Sequence, residues 1–499
     1  MGKFQIYAPR EARTKDSILL LWDKVNDGAE KLQYDIYVNG KLCKSVDCTD
    51  ETLTGLEPAS EYTVQVVTQF EGELYDTDKI RVSTRAKGNI LDITQFGADV
   101  QCENNAEAIQ KAIDACGDGD TVYIPEGIFR SGALFLHSNM TLEVAEGARL
   151  QATGKVSDFE PFFYPYEGRW EMCYASLLNV RTLPEYNKEG NPQTDFDIYE
   201  NIKIIGKGVI DGGGEDLFKP QLDAFGKVSR SRTICIRNTT GLYIYGVTVR
   251  NSAAWCLHNI YCKNMTINQI SLFNKFDENG NRYTHFNGDG IDPDSCQDVT
   301  ICHSFIESQD DSIALKSGRE PLGLELAIPT QKVRISNCKL SYGFGVVVGS
   351  EMSGGVNDVL IQDIEMNETF CAVNLKTRHG RGACISNISY ENIKQTTKMV
   401  QDEDDKWFRG NLCIDQFYGD DSVDAKTKLS VDKGTSTIKD ISIRNVVMDV
   451  NSRKTLYMCG LPENPVNNVL LENVSATGGE GAYIKNIKKL KMVNCDFNI

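Results

Sequence analysis

Residues 285–318 read HFNGDGIDPDSCQDVTICHSFIESQDDSIALKSG. Two runs inside this stretch, Val299-Thr-Ile301 and Ile313-Ala-Leu315, put apolar residues at alternate positions, the period of a strand with one buried face. Working outward, the same short unit recurs as Asn201-Ile-Lys-Ile204, Leu242-Tyr-Ile244, Met265-Thr-Ile267, Val333-Arg-Ile335, Val359-Leu-Ile361, Ile388-Ser-Tyr390, Ile441-Ser-Ile443 and Val469-Leu-Leu471. A second apolar strand comes after each unit, and neighbouring units lie roughly 20 to 40 residues apart, with one longer interval between Tyr390 and Ile441. Such self-similarity marks a solenoid in which each rung is covered by its neighbours. Asparagines at the expected corners (Asn251, Asn264, Asn274, Asn337, Asn387, Asn445, Asn473) suit left-handed turns and side-chain ladders. No blade signature or helical repeat competes. The fold class is all-β.

Composition bounds the function. The chain has 499 residues, 41% of them hydrophobic, which allows a large core and more than one domain. A formal charge of −17 disfavours nucleic acid, which wants a basic face. A polyanionic substrate would have to be held by local Lys and Arg rather than by the global field. No apolar run is long enough to span a membrane. The first residues, MGKFQIYAPREARTKDS, lack the apolar core of a secretory signal, so the chain as given reads as cytoplasmic, or as secreted or periplasmic if a signal was removed. The 16 cysteines are scattered singletons without CxxC pairing, which predicts reduced, buried thiols rather than a disulfide framework or zinc site.

Residues 1–87 read as a separate all-β unit, with strands Ser17–Trp22, Tyr34–Val38, Tyr62–Val67 and Ile80–Ser83 and turns at Asn39-Gly40 and Glu71-Gly72. Around Leu56–Val64 this unit resembles fibronectin type III domains, which implies a β-sandwich with Trp22 in its core and Tyr62 at its corner. Lys87-Gly88-Asn89 is the expected linker to a second domain, 88–499. That domain opens with an amphipathic helix, Asn105 to Cys116, ended by Gly117-Asp-Gly-Asp120.

The stretch 285–318 also holds six aspartates. Asp289 stands in Asn-Gly-Asp-Gly, and Asp310 and Asp311 are adjacent in Gln-Asp-Asp-Ser. Carboxylates gathered at the cost of mutual repulsion are rarely without use. Two readings are open: a calcium-type or solvated acidic loop, and a set of acids for hydrolysis. On a β-helix, residues at one point of successive rungs share a face, so these acids could line an open cleft for an extended polysaccharide. Adjacent residues on a strand point to opposite faces, so a bulge or turn is predicted at Asp310-Asp311.

At these motifs the chain resembles glycoside hydrolase family 28, the polygalacturonases. The likeness rests on Asn287-Gly-Asp289-Gly-Ile-Asp292 and Gln309-Asp310-Asp311, and runs from about Ile93 to Ile499. Phe96-Gly-Ala98, the helix and Val122-Tyr-Ile-Pro-Glu-Gly127 look like the entry cap of the right-handed parallel β-helices that act on pectin. Ile210-Asp-Gly-Gly213, Arg250–His258, Val348–Gly355 and Gly460-Leu-Pro-Glu463 resemble its bacterial exo-acting branch, where a fibronectin-like module also precedes the β-helix. The resemblance implies single-displacement hydrolysis with inversion. Asp310 would protonate the glycosidic oxygen, and Asp289 and Asp311 would activate water, across a separation of roughly 6.5–9.5 Å.

Two departures stand out. The family's Gly-His-Gly is Gly343-Phe344-Gly345 here, and its Arg-x-Lys is Asn374-Leu375-Lys376. Lys376 and Asn287 remain as expected substrate contacts, with His258 a rung or two away. His285, at strand parity with Asn287 and Asp289, and Arg378 and Arg381 after the lysine are candidate replacements. The segment Arg319–Thr330 could close one end of the cleft. A solvated acidic loop is the expectation for 398–436, with Gln401–Asp405 and Asp420-Asp421.

The reading is an inverting, exo-acting hydrolase that removes α-linked galacturonate from homogalacturonan- or rhamnogalacturonan-derived oligosaccharides. It implies no metal or organic cofactor and no membrane partner, and leaves the oligomeric state open. The alternatives are a degenerate binder of pectic fragments, a calcium-dependent β-helix lyase and a structural adhesin.

Overall fold

The structure is a computed structural model describing residues 2–497, apart from 27, 29, 167–168, 181–197, 399–406, 408, 420–424, 452–453 and 480. The acidic runs at 401–405 and 420–421 therefore lie outside the described residues.

Two sheets occupy Gly2–Ser83. One joins Ile6–Tyr7, Ser17–Trp22 and Asp50–Thr54; the other is built on Tyr34–Val38, Lys41–Val46 and Glu61–Phe70. Trp22, Ile18 and Ile36 are fully buried between them. The Tyr62 hydroxyl accepts a hydrogen bond from the Glu57 N–H at 2.8 Å, which pins the corner. Asn39 and Glu71 both take φ of 51°, each followed by a glycine at positive φ, as tight hairpins demand. This unit lies against the coil behind it. Arg334 Nη2 donates to Trp22 O and Thr49 Oγ1, both at 2.9 Å, and Asn268 Nδ2 donates to Thr52 Oγ1 at 2.8 Å.

From Ile90 onward the chain winds into a parallel β-helix, with one 21-stranded and one 11-stranded sheet. Strands stack rung on rung in register: Ile291 faces Ile313, which faces Val346, and all three are buried inside. No rung could bury that column alone, so each depends on its neighbours. The helix Ala106–Asp114 covers the first rungs with Ile109, Ala112 and Ile113. It stops at Asp114 with Ala115 as cap, short of the expected glycine. Six of the seven corner asparagines take φ between 51° and 56°. Asn274 is the exception; its Oδ1 instead accepts from Ser252 N at 2.8 Å. A ladder runs down one corner, with Asn473 Nδ2 donating to Asn445 Oδ1 at 3.0 Å and Asn445 Nδ2 to Asn392 Oδ1 at 3.1 Å. None of the 16 cysteines is in a disulfide, and 11 are buried.

Candidate active site

The 11-stranded sheet carries the site. Its strands Ile291–Asp294, Ile313–Leu315, Val346–Gly349 and Val373–Lys376 stack in order. Each is entered through a corner, and three successive corners hold Asp289, the pair Asp310-Asp311, and Phe344. Backbone hydrogen bonds tie corner to corner: Gly290 N to Asp311 O at 2.9 Å and Phe344 N to Asp310 O at 3.2 Å. The close approach explains one glycine. A Cβ on Gly343, at φ +58°, would stand 2.1 Å from the Asp310 carbonyl oxygen. Gln309 and Asp310 form the bend between strands, as the adjacent aspartates required.

The nearest carboxylate oxygens of Asp289, Asp310 and Asp311 lie within 4.8 Å of one another. That is closer than the spacing of roughly 6.5–9.5 Å expected for a two-carboxylate inverting site. Two ammonium groups offset the repulsion and let the cluster close up. Lys376 Nζ binds both oxygens of Asp311, at 3.0 and 2.9 Å, and Lys316 Nζ lies 3.3 Å from Asp289 Oδ2. Among the described residues, Asp310 meets no ammonium in this way. Its oxygens accept from Asn287 Nδ2 at 3.2 Å and from the Asp311 N–H at 3.0 Å. The trio is thus split into two lysine-paired acids and one held by amides.

Burial pushes Asp289 well above the ordinary carboxylate range, helped by Asp292 and opposed by Lys316. Burial raises Asp311 too, against the pull of Lys376. Asp292, behind the trio, is pushed up to about 7 by burial, with Lys316 and His258 pulling the other way. By distance the trio could also hold a cation, but ammonium groups already occupy two of its three members.

A cleft of about 580 Å³ opens over these acids. Asn287, Lys376, Arg378 and Arg381 line it, as the sequence suggested. Asn287 is oriented by Arg230, whose Nη2 donates to its Oδ1 at 3.0 Å. Arg381 Nη1 donates to Glu320 Oε2 at 2.6 Å, and Arg319 also lines the wall, so the 319–330 segment reaches the cleft.

The two histidines do not reach it. His285 is 3% exposed, stacked on Tyr283 at 5.0 Å and edge-on to Phe218. Burial, with Arg230 nearby, drives it down to about 3, so it stays neutral and is no proton handler for Asp289. Strand parity was a poor guide because Phe286-Asn287-Gly288 turns a corner between the two. His258 is fully buried behind the wall, its Nε2 3.3 Å from Asp294 Oδ2 and its ring edge-on to Trp255 at 4.9 Å. Trp255 is 3% exposed yet lines the cleft.

Sequence reasoning missed Lys316, Glu351, Phe286, Trp407 and Tyr418, all in the lining. Lys316 carried a signal: it is the lone basic residue in the stretch 285–318 apart from its histidines. Phe344, which the sequence resemblance sets where a histidine was expected, lines the cleft and stacks on Phe370 at 4.6 Å.

The pattern defining glycosyl hydrolases family 28 matches residues 183–495. The chain belongs to that family. It is a glycoside hydrolase of the polygalacturonase type. The exo-poly-alpha-D-galacturonosidase of Dickeya chrysanthemi is 26% identical over 448 residues, 75% of this chain and 72% of that protein. An endo-polygalacturonase of Pectobacterium carotovorum is 26% identical over 305 residues, 57% of this chain and 67% of that one. The solved family 28 exopolygalacturonase of Yersinia enterocolitica shares the fold, with a TM-score of 0.80 at 22% identity over 99% of this chain and 96% of its own. Among the described residues no helix is long and apolar enough to cross a membrane.

Proposed function

We propose that this family 28 hydrolase is an exo-acting, inverting enzyme that removes α-linked galacturonate from pectic oligosaccharides. The observation that carries the roles is the unequal partnering of the three aspartates. Asp289 and Asp311 are buried, each against a lysine that opposes the rise burial imposes and so favours the base; Asp310 is the one of the three that opens to the cleft, where an acid must meet the glycosidic oxygen. In the step, Asp310 gives its proton to the glycosidic oxygen as that bond to C1 breaks. Asp289 and Asp311 hold a water on the other face and take its proton as its oxygen bonds to C1. The likeness to the Dickeya exo-poly-alpha-D-galacturonosidase supports exo action on galacturonate. Lys227, Arg319, Arg378 and Arg381 supply positive charge in the cleft for an anionic sugar. Phe344 and Asn374, where the family has His and Arg, fit a substrate other than plain homogalacturonan, such as rhamnogalacturonan-derived fragments. Residues 1–87 serve as a docked module and 88–499 as the catalytic domain.

The test is sugar release from a panel of oligogalacturonides and rhamnogalacturonan oligosaccharides, with the product anomer followed by NMR. Monomeric galacturonate released with inverted configuration, and lost in Asp310→Asn, is the expected result. Internal cleavage, retained configuration or an unsaturated product would overturn it.

A further inference from the structure

Lys316 has entered so far only as the charge beside Asp289, and the motif Val348–Gly355 has been given no part in the hydrolysis. The Lys316 side chain is 5% exposed, bridged at its backbone to Asp294. Its Nζ lies 3.3 Å from Asp289 Oδ2, 3.3 Å from Asp292 Oδ1 and 3.1 Å from Glu351 Oε2, and 4.1 Å from the centre of the Trp255 ring. One ammonium thus joins the first corner of the acid cluster to a carboxylate two rungs on. Glu351 is itself fixed. Its turn is strapped to the residues after Lys316 by Ser317 N to Glu351 O at 2.7 Å, Gly354 N to Ser317 O at 2.8 Å and Ser353 N to Gly318 O at 2.9 Å.

We propose that Lys316 is a positioning residue for Asp289, drawing that carboxylate towards its ionised form and aiming it at the attacking water, and that Glu351 holds the lysine in place. The proposal rests on the hydrolase reading above. A buried ammonium ringed by three carboxylates contributes little net stability, because desolvation offsets the attraction. What it does supply is a fixed positive charge beside a group that must lose its proton to act.

The charged groups facing this hub are few. Lys316 faces Asp289, Asp292, Asp311 and Glu351; Asp289 also faces Asp310, Asp292 also faces His258, and Glu351 also faces Arg381 and Lys376. Burial opposes the charge of Glu351, yet Lys316 and Arg381 hold it down at about 2, so it stays ionised across the working pH range. The lysine remains charged as well, raised by Glu351 and the aspartates against its burial.

The experiment compares the wild type with Asp289→Asn, Lys316→Met, Lys316→Arg and Glu351→Gln on an oligosaccharide the wild type cleaves. Folding is checked by circular dichroism, and kcat and KM are measured as functions of pH. Lys316→Met is expected to lose kcat on the order of 100-fold, with KM held within about threefold, the split expected when a transition-state interaction alone is lost. Its acid limb should move to higher pH, since Asp289 would keep its proton longer. Lys316→Arg should keep the wild-type limb and part of kcat. Glu351→Gln should lower kcat without raising the limb, because it removes a negative charge. A folded Lys316→Met with the wild-type limb and kcat overturns the proposal. Should that variant not fold, Glu351→Gln with unchanged kcat overturns it. Retained activity in Asp289→Asn is a different failure, since it removes the base assignment itself.

Discussion

Replacing Lys376 by methionine isolates the electrostatics that hold the acid cluster together. In the folded protein its Nζ lies 3.0 and 2.9 Å from the two oxygens of Asp311, whose side chain is 2% exposed. At an effective dielectric constant near 20, unit charges at such a separation attract by roughly 6 kcal/mol. Most of that offsets the cost of burying both groups. Removing one member strands the other, at a cost of about 3–5 kcal/mol. Lys376→Met is therefore expected to lower the unfolding free energy by about 3 kcal/mol or more at neutral pH. Burial already raises Asp311, and losing Lys376 raises it further. Unfolded, the same group titrates near 3.9, as an ordinary aspartate does. Below that value it is protonated in both states and the penalty is absent. As pH rises from there towards the raised folded value the native state binds the extra proton, so stability falls, and it levels off above. Adding Asp311→Asn removes the stranded charge, so the double variant should recover most of the loss and show none of this pH dependence. Urea unfolding of the wild type, both single variants and the double at a series of pH values measures the cycle. A single variant that costs under about 1 kcal/mol at pH 7, or a double variant no more stable than the single, would refute a buried ion pair here.

The same geometry sets three further outcomes. Gly343→Ala puts a Cβ 2.1 Å from the Asp310 carbonyl oxygen at φ +58°, so it should cost about 1–3 kcal/mol and lower kcat by displacing Asp310; wild-type melting and kcat would contradict the close packing of those corners. His285→Phe should leave kcat and its pH profile unchanged, because the ring is packed against Tyr283 away from the cleft; a lost acid or basic limb would return that histidine to the site. A chelator should leave activity untouched, since Lys316 and Lys376 hold the carboxylates a cation would need; loss of activity restored by calcium would favour a lyase.

The fold was legible because a β-helix repeats its signature. Each rung shows the same alternating triplet, and a corner such as Asn445 or Asn473 is marked by one of the few residue types that take φ near 55° cheaply. Asp289, Asp310 and Asp311 were legible for a different reason. Three carboxylates crowded into a short stretch are costly, and the bend needed to bring adjacent aspartates into one site could be argued from strand parity alone. Arg378 and Arg381 reach the cleft because they come directly after Lys376 and leave the sheet on the same side.

Parity inside one rung was not enough for the rest, because the site is assembled across rungs. Lys316 meets Glu351 through stacking of Leu315 on Val348, a register hidden in the chain by the long stretch and helical insertion between the two strands. His285 failed in the opposite way. Two positions from Asn287 in sequence, it is separated from the cleft by a corner at which Asn287 takes φ of 54°. A left-handed residue there reverses which face the chain presents, so alternation counted through it assigns the wrong side. The corners that hold the three aspartates are thus the points at which the period of two breaks, and a sequence reading that treats them as strand will misplace the neighbours of the very residues it identifies. Phe344 is understood by column rather than by parity. One rung beyond Asp310 and stacked on Phe370, it takes the histidine's position without its chemistry, while Lys376, the next basic group in that direction, turns both of its short contacts onto Asp311. A lysine so engaged has little left for a substrate carboxylate. Under the proposed function that role would fall to the cleft arginines, although Arg381 and Arg319 already face Glu320, and cleavage of a neutral-ended oligosaccharide beside a galacturonate-ended one would separate their contribution from that of the lysine.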